Sequence, residues 1–261
     1  MKRSNLKLTS LIEQYKNTSL LNDFESGIKK GHSENISLNL LEMNPLCNKY
    51  YFKKEELNSL ESTLSDKGII DPIIVRQRNE KYQVVTGFKR YFLAKRNKLA
   101  SVPAIEEEIS DEFLLAIIIQ ILRTYKDENI LNKAYIYDAI LKQYSIDRKE
   151  LARLLNISIS QVTNTLRILK LDDSLKKALK DDRISYGHAR MLVGLSTEDQ
   201  NKFLDSILEQ KLSVRDIEKI IFSYKNNAEK NNYEIEKNDL EITFKFSSQK
   251  EADEFYKKYK K

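Results

Sequence analysis

The stretch Arg148–Arg167, RKELARLLNISISQVTNTLR, constrains this chain more than any other. Two short helices crossing at a sharp angle need a small residue where they touch, and Ala152 supplies it. Four residues on, the backbone must pass through the left-handed region. Gly is usual there, and Asn156 is the next-best residue for that conformation. Leu151, Leu155, Ile157, Val162 and Leu166 are placed to fill the junction, and Thr165 is small enough to let the second helix pack closely. Asp147 with Glu150, and Ser158 with Gln161, carry capping-box spacing at the two helix starts. The pattern predicts helices over 147–155 and 158–170, joined as a helix-turn-helix.

The faces of the second helix point to its partner. Val162, Leu166 and Leu169 fall on one side at i, i+4 and i+7 and are expected to point inward. Ser158 stands at the cap, and Ser160, Gln161, Thr163, Asn164, Arg167 and Lys170 remain outward, all hydrogen-bonding types. A polar outer face is ordinary on a solvated helix. The absence of any Asp or Glu from Gln161 to Lys170 instead favours DNA. Asn and Gln pair two-point with adenine, and Arg with guanine or phosphate, when such a helix lies in the major groove. A second candidate is Ser185–Arg190, SYGHAR, at the start of a later helix. Ser185 is placed to cap it and leave N–H groups facing a phosphate, with His188 and Arg190 adding contacts. The plainer reading of His188 is a half-buried packing residue.

Composition narrows the alternatives. Lys and Arg total 45 against 39 Asp and Glu, a net charge of +6, which permits an anionic partner without requiring one. One cysteine, Cys47, and two histidines, His32 and His188, exclude an internal disulfide framework and argue against a Cys/His zinc site. The longest apolar run, Phe113–Ile119, has seven residues, well short of the ~20 that a membrane span needs. With no apolar stretch after Lys2 and Arg3 to act as a secretory signal, a cytoplasmic location is expected.

The texture changes along the chain. Residues 1–35 hold a short amphipathic piece (Leu8, Leu11, Ile12, Tyr15) and a polar stretch, read as a flexible arm or a disordered tail. Residues 36–109 alternate strand and helix patterns, with a turn at Asn44-Pro45 and a helix carrying Leu57, Leu60 and Leu64 and closed by Gly68. Strands are expected over Ile69–Arg76, Tyr82–Thr86 and Val102–Ile105, with Pro72 marking an edge or a strand start. Residues 110–225 read as helices throughout, 226–232 as a polar linker, and 233–261 as two strands and a basic helix. The fold class is therefore an α+β domain followed by an all-α helix-turn-helix domain. The small C-terminal segment is expected to dimerise, since alone it buries too little surface.

Taken in order, several motifs resemble the ParB family of chromosome and plasmid partition proteins. They are the Asn44-Pro45 turn, Gly68–Arg76, Gly87–Arg90 followed by Ala94, Arg123, the helix-turn-helix, and Ser185–Arg190. The resemblance runs from about Ile36 to Tyr224. It implies a homodimer that binds a centromere-like inverted repeat in double-stranded DNA, spreads as a sliding clamp and stimulates a ParA-type ATPase, in association with the nucleoid. It also implies CTP and Mg²⁺ bound by the N-terminal domain. Carried over residue by residue, the nucleotide set is Gly68, Thr86, Gly87, Lys89, Arg90, Gln120 and Arg123, with Gln120 as the metal ligand. Lys2, Arg3 and Lys7 resemble the family's ATPase-contacting peptide.

The departures are local. Phe88 stands where the family carries Glu, Lys89 replaces an arginine, and Ile119-Gln120 replaces a Glu-Asn pair. The resemblance therefore carries CTP binding further than CTP hydrolysis, and enzymatic activity stays open. Entering the second helix, Ile157 and Ile159 replace two cations, so the family's common DNA site is not assumed. The competing reading is a nucleoid-occlusion-type or transcriptional regulator that uses the same helix-turn-helix without a ParA partner. That reading calls for a membrane-seeking N-terminus, and the apolar face of Leu8–Tyr15 is short for it.

Overall fold

The computed structural model describes residues 32–50, 52, 57–58, 61, 69, 71–124, 129–230, 233–238, 241–246, 249 and 252–253, with backbone alone for 223–230, 233–238 and 241–246. Lys2, Arg3, Lys7, Gly68 and most of the helix expected around Leu60 lie outside the described residues. The chain forms two compact units, Met1–Val193 and Gly194–Lys261.

The first unit is built on five strands: β1 (Glu34–Ser37), β2 (Leu41–Met43), β3 (Ile73–Arg78), β4 (Lys81–Thr86) and β5 (Ser101–Glu106). They lie in the order β1-β5-β3-β4-β2. β3 and β4 form an antiparallel hairpin from Arg78↔Lys81 inward, while β3 pairs with β5 in parallel. That parallel pair needs a crossover, and β4 with helix α1 (Phe88–Arg96) provides it. β3 is the central strand, and Pro72 precedes it, so no ladder donor is lost. Ile73, Ile74, Val75 and Arg76 are all buried, as expected of a strand covered on both faces. The Asn44-Pro45 turn is tied to the sheet by Asn44 Nδ2, which donates to the Val84 carbonyl at 2.8 Å.

Helix α2 (Asp111–Thr124) contains the longest apolar run, and every residue from Leu114 to Ile119 is buried. A helix apolar on all sides belongs at the centre of a core. No described helix is long and apolar enough to cross a membrane. Then follow α3 (Ile130–Tyr144), α4 (Arg148–Leu155), α5 (Ile159–Arg167), α6 (Asp173–Lys180) and α7 (Tyr186–Leu192). One hydrophobic core runs from Leu41 to Val162 and includes residues of α2, α3, α4 and α5. The division expected near residue 109 is thus not a break in packing. The reason is α2 itself, whose all-round apolar surface must be covered on every side.

A charge network centred on one buried arginine fastens α2 to the sheet. Arg76, 2% exposed, donates to Gln83 Oε1 at 2.9 and 3.2 Å and to the Ile109 carbonyl at 3.0 Å, and pairs with Asp111 at 2.8 Å. Arg78 reaches the same Asp111 oxygen at 2.6 Å, and the Tyr144 hydroxyl donates to the Asp111 carbonyl at 2.7 Å.

The second unit holds α8 (Thr197–Gln210), α9 (Val214–Lys230), and an antiparallel pair, β6 (Tyr233–Asn238) and β7 (Glu241–Phe246). Helix α9 continues through 226–230, where a linker was expected. Asn226 to Lys230 contains no Gly or Pro to end it, and Ala228, Glu229 and Lys230 are good helix formers.

Candidate nucleic-acid interface

Each expected part of the helix-turn-helix junction has a visible cause. Asp147 caps α4 by accepting from the Glu150 N–H at 2.7 Å, while Glu150 turns its carboxylate to Arg153 at 2.9 Å. Ala152 is 2% exposed at the crossing. Asn156 closes α4 at φ 56°, ψ 46°, and the Ile157 N–H then donates to the Ala152 carbonyl at 3.0 Å. The capping box on α5 is complete: the Gln161 N–H donates to Ser158 Oγ at 3.1 Å, and the Ser158 N–H to Gln161 Oε1 at 2.9 Å. Gln161 therefore spends its amide oxygen on the cap.

The inner face of α5 differs from the expected one. Val162 and Thr165 are buried, but Leu166 and Leu169 are only half-buried, and Ile168 is fully buried. The α-helix stops at Arg167, and a 3₁₀ turn covers Ile168–Lys170. Tighter winding, near three residues per turn, shifts the buried face so that Ile168 turns inward. A reading at helical spacing alone misses it.

On the outer face Ser158, Ser160, Gln161, Arg167 and Lys170 are exposed, and Thr163 and Asn164 half-buried. Asn164 and Arg167 lie together with Ile168, Arg190 and Val193 around one small gap where α5 meets the end of α7. The two stretches singled out in the sequence, 158–170 and 185–190, thus meet on one surface. Tyr186 was not anticipated there. Burial raises its hydroxyl pKa, and the positive charges of Arg190 and Arg167 pull it partly back.

Helix α7 opens with a capping box of its own. The His188 N–H donates to Ser185 Oγ at 3.3 Å, and the Ser185 N–H donates to His188 Nδ1 at 3.2 Å. An accepting Nδ1 puts the proton of the neutral ring on Nε2. That atom is buried and has no hydrogen-bond partner among the described residues. Half-buried His188 thus serves the start of α7 through its ring, a role that spacing alone did not assign.

The described residues of the expected nucleotide set, all but Gly68, lie at the end of β4, in the turn after it, and on α1 and α2. Thr86 is 7% exposed at the end of β4, and Gly87 follows at φ 84°. A Cβ at Gly87 would stand 2.8 Å from Ile73 Cγ2 and 3.2 Å from Ile73 Cα, so the close approach to β3 demands glycine. Lys89 is exposed, with its ammonium 5.6 Å from the Phe52 ring centroid. Arg90 turns back to the chain before β3, donating to the Pro72 carbonyl at 2.9 Å and pairing with Asp71 at 3.4 Å. Gln120 is half-buried, beside Ile119 in the core at 1% exposure. Arg123 Nη2 donates to the Leu154 carbonyl, and its Nε is buried with no partner among the described residues. Burial lowers the Arg123 pKa from its usual value. No group of three His, Cys, Asp or Glu suited to a metal occurs among the described residues.

The chain matches two family models, a ParB N-terminal domain over residues 23–121 and a ParB HTH domain over residues 126–226. It is 35% identical over 229 residues to a probable chromosome-partitioning protein ParB of Campylobacter jejuni, covering 84% of this chain and 81% of that one. It is 32% identical to the corresponding protein of Helicobacter pylori, over 78% of this chain and 71% of that one. A crystal structure of the C-terminally truncated ParB of Caulobacter crescentus with its centromeric parS site shares 29% identity. It covers 72% of this chain and 98% of that one, with a TM-score of 0.42. With an N-terminal and a helix-turn-helix model matched in series, and a relative aligned over more than four-fifths of both chains, this protein belongs to the ParB family.

Proposed function

We propose that this chain is a DNA-binding partition protein. It binds a centromere-like inverted repeat as a homodimer and acts with a ParA-type ATPase in segregating a chromosome or plasmid. The observation that carries the reading is the outer surface of α5, where Ser158, Ser160, Gln161, Arg167 and Lys170 stand exposed, with exposed Arg190 of α7 close to Asn164 and Arg167. These side chains offer hydrogen-bond donors and acceptors for base edges and phosphates, and the surface from Gln161 to Lys170 lacks any carboxylate that would repel DNA.

The N-terminal domain supports a CTP-binding role in part. Lys89, the Nε of Arg123, which has no partner among the described residues, and the tight turn at Gly87 suit the triphosphate of a nucleotide, with Thr86, Gln120 and Arg90 beside them in the motifs. A bound triphosphate would supply the anionic oxygens that these cations hold. Arg90 must leave Asp71 or share its guanidinium to join them. The donor set does not fit a protein-held Mg²⁺, because Ile119 is buried and Gln120 offers a single amide oxygen.

The test is equilibrium binding of the full chain to a panel of inverted-repeat duplexes, with and without CTP and Mg²⁺. A preference for one repeat is expected, with crosslinking across the N-terminal domains increased by CTP. No sequence preference under any condition would overturn the centromere reading. Unchanged crosslinking would remove the nucleotide switch and leave DNA binding standing. For the ATPase contact, deleting residues 1–16 is expected to abolish stimulation of the cognate ParA, and undiminished stimulation would refute it.

A further inference from the structure

The two isoleucines that flank the cap of α5 have different environments. Ile157 stands just before the N-cap Ser158 and is half-buried against the core that contains Val162. The pair has the N′-to-N4 spacing of a hydrophobic staple, which fixes how the chain enters the helix. Ile159 is the first helical residue and is 48% exposed. It takes no part in the cap, which Ser158 and Gln161 complete without it, and it is not among the residues packed on that core. The other large exposed apolar side chains among the described residues, Leu40, Ile220 and Phe222, lie outside the helix-turn-helix. Ile159 thus stands outside that core, half exposed on the first turn of α5 between Ser158 and Ser160.

We infer that Ile159 is a specificity-determining residue that reads the C5-methyl group of a thymine in the major groove. The inference rests on the DNA-binding reading of α5 and deepens it. The first turn of such a helix lies nearest the base edges. There adenine and guanine present only nitrogen and oxygen groups, cytosine presents an amino donor, and thymine alone presents a methyl. A sec-butyl side chain set against a polar edge would strip water from that edge and return no hydrogen bond, a loss that disfavours the other three bases. Against a methyl it buries apolar surface on both sides. Arg167 and Lys170, further along the same exposed surface, remain available for phosphate or guanine. A half-site with thymine opposite Ile159 follows.

The experiment begins with full-length protein selecting duplexes from a random pool. In the selected site each thymine is replaced in turn by deoxyuridine, which differs only in lacking the methyl. Dissociation constants are measured for wild type, Ile159→Ser and Ile159→Ala. One thymine per half-site is expected to cost about fourfold in wild type on losing its methyl, the scale of one buried methyl group. That cost should vanish in Ile159→Ser and shrink in Ile159→Ala, which keeps one methyl, while the remaining thymines behave alike in all three proteins. Melting curves confirm the fold, and the alanine variant serves should the serine variant unfold. Deoxyuridine that is neutral at every position in wild type overturns the inference, and so does a penalty that is undiminished in the variants. Failure of any duplex to enrich overturns the DNA-binding reading itself.

Discussion

Arg123, at the last turn of α2, donates from Nη2 to the main-chain carbonyl of Leu154 in α4. The last carbonyls of a helix have no partner within it. In α4 those of Ala152 and Arg153 accept from the N–H groups of Asn156 and Ile157, and Arg123 supplies a cationic donor for Leu154. A cation at a helix C-terminus also meets the negative end of its dipole. One arginine thus joins the helix that fills the core beside the sheet to the first helix of the helix-turn-helix.

Replacing Arg123 by Ala is expected to destabilise the protein by about 1–3 kcal/mol, the cost of a partly buried carbonyl left without its charged donor. Amide exchange should quicken first in α4 and the turn at Asn156, with Arg123→Lys recovering part of the stability. Unchanged melting of Arg123→Ala would show that the bond contributes nothing.

Gly87→Ala is expected to cost about 1–2 kcal/mol through its left-handed backbone alone, and more through the contact with Ile73. Ile73 is fully buried in the central strand and has nowhere to move. Thermal melting checks this, and an alanine variant as stable as wild type would contradict the required close approach.

At Asn156 the expectation is a graded pair. Asn156→Gly should lie within a few tenths of a kcal/mol of wild type or stabilise slightly, because the φ of 56° suits glycine better than any other residue. Asn156→Val should cost about 1–2 kcal/mol, since a β-branched side chain resists that conformation. Equal melting temperatures for the two variants would refute the turn geometry.

Asp111 predicts a pH dependence. Burial acts to raise its pKa, but the hydrogen bonds and charges of Arg76 and Arg78 outweigh it and hold the carboxyl below its usual 3.8. A depressed carboxylate contributes stability that is present above the unfolded value and lost as pH falls through the folded one. Asp111→Asn should therefore melt below wild type near neutral pH, and the gap should narrow as the pH drops below about 4. A gap that is constant from neutral to strongly acidic pH would contradict the ion pair.

Much of the site was legible because its signals are local. Ala152, Asn156, Ser158 and Gln161 act on neighbours within five residues, so spacing and residue type suffice to read them. Ile168 escaped because the winding changes from α to 3₁₀ at Arg167, which shifts the buried face. His188 escaped because a histidine seldom takes the return position of a capping box, which Glu or Gln usually fills. Contacts between distant residues left no trace in the pattern. Neither Arg123 with Leu154 nor Arg76 with Asp111 follows from periodicity, since each depends on how the elements pack. The same holds for the continuous core across residue 109, where the change from mixed to helical texture suggested a boundary that packing does not respect.

The outer surface of α5, with Arg190 of α7 beside it, is the proposed DNA-binding surface. The most direct measurement is equilibrium binding of wild type and Arg167→Ala to the preferred inverted-repeat duplex across a range of salt concentrations. Affinity in wild type is expected to fall steeply with salt. Arg167→Ala should bind more weakly, with unchanged melting temperature and a salt slope shallower by about one for each phosphate that Arg167 neutralises. Binding by Arg167→Ala equal to that of wild type, or weakened binding that only tracks a drop in thermal stability, would contradict a DNA contact through this surface.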